Sequence, residues 1–290
     1  MAGRRLTPYL LILPSVVLLV LLYGYPIALT VWQSFHDINI FQGAMTFVGL
    51  DKFKSVLGDA LFKQTLMITL KYTFLTVTLK MLFGLGIGYL LHSKIYLKKV
   101  FGFLVLIPWA IPQVAAGTVW QWLLNGQYGY LNYYLTNWGL LAKPIAFLAE
   151  PRAAFISASV VDTWMGIPML AMIFLAGFDA IPKNLYEACA MDGGGLWQEF
   201  RDVTWPGIKR LTLTTLILVT IWTFNSFNVI YVLTQGGPMR ATETLIIRIY
   251  QEAFSRFDLG ASSALTVVAV LLLTVLSALY LLGGREREKR

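Results

Sequence analysis

Polar side chains inside long apolar stretches have the most chemistry to offer in this chain. Asn225, Ser226 and Asn228 lie in one such stretch with Trp222. On a helix the three polar residues fall within an arc of about 160°, with Trp222 and Val229 on the same face. Amides both donate and accept hydrogen bonds, as a hydroxyl-rich solute requires, and an indole offers a stacking face to the CH surface of a pyranose. The same amides can instead bond neighbouring helices. Asp162 and Lys71 sit at similar depths in two other apolar stretches and can pair. Lys80 is nine residues from Lys71, a rotation of about 900° that puts the two lysines on opposite helix faces, so both do not line one path. Ionisable groups in hydrocarbon are costly, which makes Asp162 and one lysine candidates for a transport path.

The elements that position these residues follow from composition. Hydrophobic residues make up 57% of the 290 and charged residues 13%, with a mean hydropathy of +0.67. That is the signature of an integral membrane protein. A spanning helix needs about 20 mostly apolar residues. Six stretches qualify, at 8–35, 64–91, 100–124, 153–178, 211–234 and 259–282, and predict an all-α protein with six transmembrane helices in a single domain, 1–290. The first apolar run outlasts a secretory signal core and lacks a small-x-small cleavage site, so it reads as a retained span. The net charge of +8 comes from Lys and Arg beside apolar stretches, where they meet anionic headgroups; nucleic acid is not the expected partner. Arg4, Arg5, Lys94, Lys98, Lys99, Lys183, Arg201, Lys209, Arg210, Arg285, Arg287, Lys289 and Arg290 fall on one side of a six-span topology. Lys52, Lys54, Lys63, Lys143, Arg152, Arg240, Arg248 and Arg256 fall on the other. The heavier side is cytoplasmic by the positive-inside rule, which places both termini inside.

The connection at 181–208, on the cytoplasmic side, is too well punctuated to be a passive link. Pro182 suits the first turn of a helix that Gly193-Gly194-Gly195 terminates, and a second short helix from Leu196 to Asp202 is expected to stop near Pro206. Glycine at the bend permits a left-handed backbone. Glu187 is accessible to a basic partner group, and Leu185, Tyr186, Ala188, Cys189 and Met191 offer apolar surface. On the outer side, 47–62 has the spacing of an interfacial helix. Tyr128, Tyr130, Tyr133, Tyr134 and Trp138 form either an aromatic belt at headgroup level or a platform for an extracytoplasmic partner. Gly236-Gly237-Pro238 ends the fifth span, and Thr242 reads as the N-cap of a short helix through Phe254.

Several chemistries are excluded. Cys189 is the single cysteine, so there is no intrachain disulfide. His36 and His92 belong to no H-E-x-x-H array, which argues against a membrane-embedded enzyme with a metal. No G-x-x-x-x-G-K-[ST] phosphate loop occurs, so ATP is not expected to bind by that device.

Glu187-Ala188-Cys189, Gly193 and Val203-x-Trp205-Pro206 resemble the Glu-Ala-Ala cytoplasmic loop of ATP-driven importer permeases. Cys189, Val203 and Trp205 replace Ala, Ile and Leu of that pattern. Ile107-Pro108-Trp109-Ala110-Ile111-Pro112, Trp164-Met165-Gly166-Ile167-Pro168 and Leu233-Thr234-Gln235-Gly236-Gly237-Pro238 are similar to segments, in the same order, of carbohydrate permeases, above all the larger permease subunit of maltose-type systems in the binding-protein-dependent transport family. Met169 stands where those permeases can place an aromatic residue.

The resemblance implies a prokaryotic plasma-membrane subunit that works by alternating access. Its implied partners are a second related permease, two cytoplasmic ABC ATPase subunits, an extracytoplasmic solute-binding protein and a carbohydrate. This chain would hold no cofactor, with ATP and Mg on the ATPases. Leu185, Tyr186, Glu187, Ala188, Gly193 and Pro206 would couple to the ATPase, and the Asn225–Asn228 segment would contact sugar. An ion-coupled secondary transporter or channel is the competing reading; it would need ionisable relays and no docking loop.

Overall fold

A computed structural model describes residues 3–39, 43–93 and 96–288. Lys94, Lys289 and Arg290 of the orientation argument lie outside the described residues, as do the side chains of Arg4, Arg5, Arg285 and Arg287.

Helix α1 (Gly3–Leu19) passes through a π turn at Val20–Gly24 into α2 (Tyr25–Gln33). A two-stranded antiparallel ribbon follows, β1 (His36–Asn39) and β2 (Ala44–Phe47), with His36 opposite Phe47 and Asn39 opposite Ala44. The reading at 47–62 resolves into α3 (Asp51–Gly58) and the first residues of α4 (Ala60–His92). Burial on α4 follows Thr65, Thr69, Tyr72, Thr76, Lys80, Gly84, Gly88 and Leu91, steps of three and four that define one helix face.

The third expected span is a pair of helices, α5 (Lys98–Ala110) and α6 (Gln113–Leu123), bent by 95°. Pro112 causes the break. It disfavours helical backbone in the residue before it, and Ile111 is accordingly extended at φ −84°, ψ 130°. Helix α7 (Tyr130–Asn137) precedes α8 (Pro151–Asp179), whose start is fixed by Glu150 accepting from the backbone N–H groups of Arg152 and Ala153. After α9 (Lys183–Met191) and α10 (Leu196–Glu199), a π turn at Phe200–Thr204 leads into α11 (Trp205–Phe224), then α12 (Asn228–Thr234), α13 (Leu245–Phe254) and α14 (Leu259–Glu288). Among the described residues five helices are long and apolar enough to cross a membrane, six if the bent pair counts as one span.

The described residues pack as two units, one drawn from 1–64 and 248–275, the other from 65–247 and 276–290. In the first, Lys52 lies 2.7 Å from Asp37 and 3.0 Å from Asp258. Burial opposes the charge on Lys52, but the two carboxylates outweigh it and hold the ammonium above the ordinary lysine range.

In the second unit α4 and α8 approach closely because Gly84 and Gly88 have no side chain. A Cβ at Gly84 would stand 2.5 Å from the Leu170 Cβ, and one at Gly88 would stand 2.8 Å from the Phe174 Cβ. Small residues at such a contact are the usual means of packing helices in lipid. Thr242 does not cap α13. Its hydroxyl lies 2.6 Å from Thr234 Oγ1 and donates to the Gly237 carbonyl at 2.8 Å, holding the glycine turn, while the Leu245 N–H at the start of α13 donates to Thr69 Oγ1.

Candidate functional site

The second unit contains a cavity of about 450 Å³ whose wall includes Trp222, Asn225, Ser226, Asn228, Asp162 and Lys80. The sequence reasoning placed the first four on one straight helix. The structure separates them: α11 ends at Phe224, residues 225–227 form a non-helical break, and Asn228 opens α12. The arc calculated along one helix therefore does not apply. The residues line one cavity on both sides of the break. Asn225 donates from Nδ2 to the Ile221 carbonyl at 2.8 Å, and Asn228 donates from Nδ2 to Gln113 Oε1 at 2.8 Å. Both amide oxygens stay able to accept, and the Gln113 NH₂ stays able to donate. Trp109, Phe227 and Met169 add ring and thioether surface to the lining.

Asp162 is paired with Lys80, not with Lys71. Lys80 Nζ lies 3.1 Å from Asp162 Oδ1 and donates to Thr223 Oγ1 at 3.1 Å; Tyr72 donates its hydroxyl to Asp162 Oδ2 at 3.0 Å. The geometry has two causes. Tyr72, Thr76 and Lys80 share the buried face of α4, whereas Lys71 is exposed on another face. Gly166, one turn beyond Asp162, leaves room for the Lys80 stem, since a Cβ there would be 2.6 Å from Lys80 Cε. The stem runs along α8 and delivers its ammonium back to the carboxylate. Matching depth from the ends of the spans missed this reach.

The 181–208 connection forms a helix-turn-helix, α9 to α10. Gly193 has φ +77°, the Gly194 N–H donates to the Cys189 carbonyl at 2.9 Å and the Gly193 N–H to the Ala190 carbonyl at 3.1 Å. These are the paired bonds of a glycine-terminated helix end. Glu187, Ala188 and Leu185 are exposed, as expected from sequence. Tyr186 is a correction: it is half-buried, packs with Val203 against a core of Leu170, Phe174 and Ile208, and lies 3.3 Å from Thr204 Oγ1 through its hydroxyl. The exposed apolar surface comes from Leu185 and Met191, as expected, joined by Leu196 and Trp197. Pro206 is a second correction, because it does not stop the helix. The π turn before it carries the bond from the Trp205 N–H to the Phe200 carbonyl, and the wider turn accommodates a residue with no N–H of its own. Arg201 and Asp202 pair at 2.7 Å, which holds the carboxyl below and the guanidinium above their ordinary ranges.

Residues 80–285 match the family of binding-protein-dependent transport system inner membrane components. The chain belongs to that family. It is 32% identical to the trehalose/maltose transport system permease protein MalF of Thermococcus litoralis, over 97% of this chain and 94% of that one. It is 34% identical to the diacetylchitobiose uptake system permease protein DasB of Streptomyces coelicolor, over 95% and 86%. The fold is that of a chain in the crystal structure of a bacterial ABC transporter involved in the import of the acidic polysaccharide alginate, with a TM-score of 0.83 and 19% identity over 98% of this chain and 96% of that one. This permease is thus a transport subunit with membrane-spanning helices. Sequence reasoning overlooked Gln113, Trp109 and Phe227 as members of its cavity, and left open which of Lys71 and Lys80 joins Asp162 there. Gln113 carried a readable signal, a lone amide directly after a helix-breaking proline inside an apolar span.

Proposed function

We propose that this permease forms half of the translocation path of an ATP-driven carbohydrate importer, together with a second related permease. A solute-binding protein outside delivers the solute, two cytoplasmic ATPases carry ATP and Mg, and both termini face the cytoplasm. The observation that carries the reading is the convergence of Asn225, Ser226, Asn228, Gln113 and Trp222 on one cavity, a set of two-way hydrogen-bonding groups beside an aromatic ring that suits a sugar. The carbohydrate importers among its relatives support it. Lys80 and Asp162 are the two charged residues in the lining and neutralise each other, which favours an uncharged sugar over an acidic one. Closure of the ATPases on nucleotide pushes the α9 segment bearing Glu187, and the spans rock so that the cavity opens alternately to each side.

Asn225→Ala and Asn228→Leu test the reading. Each removes an amide from the cavity wall together with one local hydrogen bond at an exposed position, so uptake at subsaturating solute is expected to fall by about fivefold to tenfold, equivalent to roughly one hydrogen bond to solute, with wild-type amounts of assembled complex. Unchanged uptake kinetics in both variants at matched abundance would remove these amides from the path.

A further inference from the structure

The segment that carries Asn225 and Ser226 has little to hold it in place by itself. Residues 225–227 form the break between α11 and α12, and backbone outside a helical ladder takes its position from neighbouring groups rather than from a run of its own hydrogen bonds. Two bonds tie the break to the end of α11. The Asn225 N–H donates to the Ile221 carbonyl at 3.2 Å, and the Ser226 N–H to the Thr223 carbonyl at 3.1 Å. The last turn of α11 therefore sets where both side chains start.

That turn is fastened from another helix. Thr212, Thr214 and Thr220 of α11 turn their hydroxyls back to the carbonyl four residues earlier, the common arrangement for threonine inside a helix. Thr223, 1% exposed, instead accepts from Lys80 Nζ on α4 at 3.1 Å, a bond strengthened by the charge on its donor. Tyr72, equally buried, donates its hydroxyl to Asp162 Oδ2 at 3.0 Å, and the Ser226 side chain stands beside the same hydroxyl. The Lys80–Asp162 pair joins the two contacts. Its ammonium end holds the last turn of α11, and its carboxylate end holds the tyrosine that Ser226 meets. Beyond the break, Asn228 is held separately by Gln113.

We propose that Thr223 and Tyr72 are positioning residues for sugar recognition, which fix the end of α11 through the Lys80–Asp162 pair so that Asn225 and Ser226 meet the solute at hydrogen-bonding distance. The inference rests on the carbohydrate reading above and adds two buried residues that act through the cavity wall. Binding groups work only when held to within about 0.5 Å of their productive geometry by supporting hydrogen bonds. A buried network provides this because displacement of any member strands a polar group away from water.

The test uses the complete importer in proteoliposomes with its binding protein in excess, supplied with maltose, trehalose, cellobiose, diacetylchitobiose and their longer homologues. For the sugar that the wild type carries fastest, Thr223→Val, which keeps the shape and removes the hydroxyl, is expected to raise KM about fivefold. The turnover rate and the amount of assembled complex should stay at wild-type values. Tyr72→Phe is expected to act in the same way, and Thr223→Ser, which keeps the hydroxyl, to remain within about twofold of wild type. Thr220→Val is the matched control, because that hydroxyl bonds its own helix, and should leave KM unchanged.

Wild-type KM in both Thr223→Val and Tyr72→Phe would overturn the inference. A loss of assembled complex or of kcat in both, with KM unchanged or not measurable, would assign the two hydroxyls to helix packing alone and overturn it too. If only Thr223→Val fails to assemble, Tyr72→Phe decides. Asn225→Ala separates this inference from the reading beneath it. If that variant lowers uptake while Thr223→Val and Tyr72→Phe keep wild-type KM, the positioning role alone fails. If Asn225→Ala and Asn228→Leu are also without effect, or the wild type carries none of these sugars, the carbohydrate reading fails and the positioning role with it.

Discussion

Lys80→Met in an otherwise unchanged chain is expected to lower unfolding stability by about 3–5 kcal/mol, because it leaves the buried Asp162 carboxylate without its counter-charge. Among the described residues, the Tyr72 hydroxyl would still bond that carboxylate. Asp162→Asn should have an effect of similar size in the opposite sense of charge, stranding an ammonium whose remaining partners, Thr223 and the new amide oxygen, are neutral. The double replacement removes both charges and is expected to recover most of the loss, since a buried pair exchanged for neutral groups is close to balanced. Lys71→Met, on an exposed face of the same helix, should change stability by less than about 0.5 kcal/mol. Unfolding of the detergent-solubilised chain, monitored for the four variants, checks the cycle. Single variants with wild-type stability, or a double variant worse than either single, would show that the pair does not hold α4 to α8.

Glu187→Lys and Gly193→Val are expected to uncouple the importer while leaving the membrane helices inserted. Glu187 is exposed on α9, and if it docks on a basic group of the ATPase as proposed, reversal of its charge would replace attraction with repulsion, a change of about 2–5 kcal/mol at a charge pair buried by docking. Gly193 acts differently. A Cβ there meets nothing within 4 Å, so the cost of valine is conformational, about 1–3 kcal/mol for a β-branched residue forced to positive φ. The bend opens and α10, with Trp197, is presented at the wrong angle. Co-purification of the ATPase should fall more than about tenfold for Glu187→Lys, and ATP-dependent uptake should be lost in both. Wild-type values for both variants would dismiss this loop as the coupling element.

The parts of the molecule that were legible beforehand are those set by local sequence. The bend at Gly193 follows from three consecutive glycines, and the helix on either side from its flanking Pro182 and Leu196, so the loop could be read without tertiary information. The third span was legible only in part. Pro112 announces a break, but nothing local sets its size at 95°. The fifth span shows the reverse, since Asn225, Ser226 and Asn228 reach the cavity although the straight helix assumed for them is interrupted at 225–227. The Asp162 partner was misread because the decisive residue is Gly166 on another helix, and the space it leaves for a lysine stem has no signature along α4. The β1–β2 ribbon was not anticipated, as pairing of two four-residue segments depends on their surroundings more than on propensity.

ATP-dependent uptake in vesicles tests the transport role most directly. The purified chain alone is expected neither to bind nor to hydrolyse ATP, having no phosphate loop. Reconstituted with the proposed second permease, ATPase and binding protein, it is expected to accumulate a carbohydrate inside the lipid boundary only when ATP is present. Accumulation by this chain without the ATPase, driven by an ion gradient, or substantial ATP turnover by the isolated chain with contaminating ATPase excluded, would contradict it.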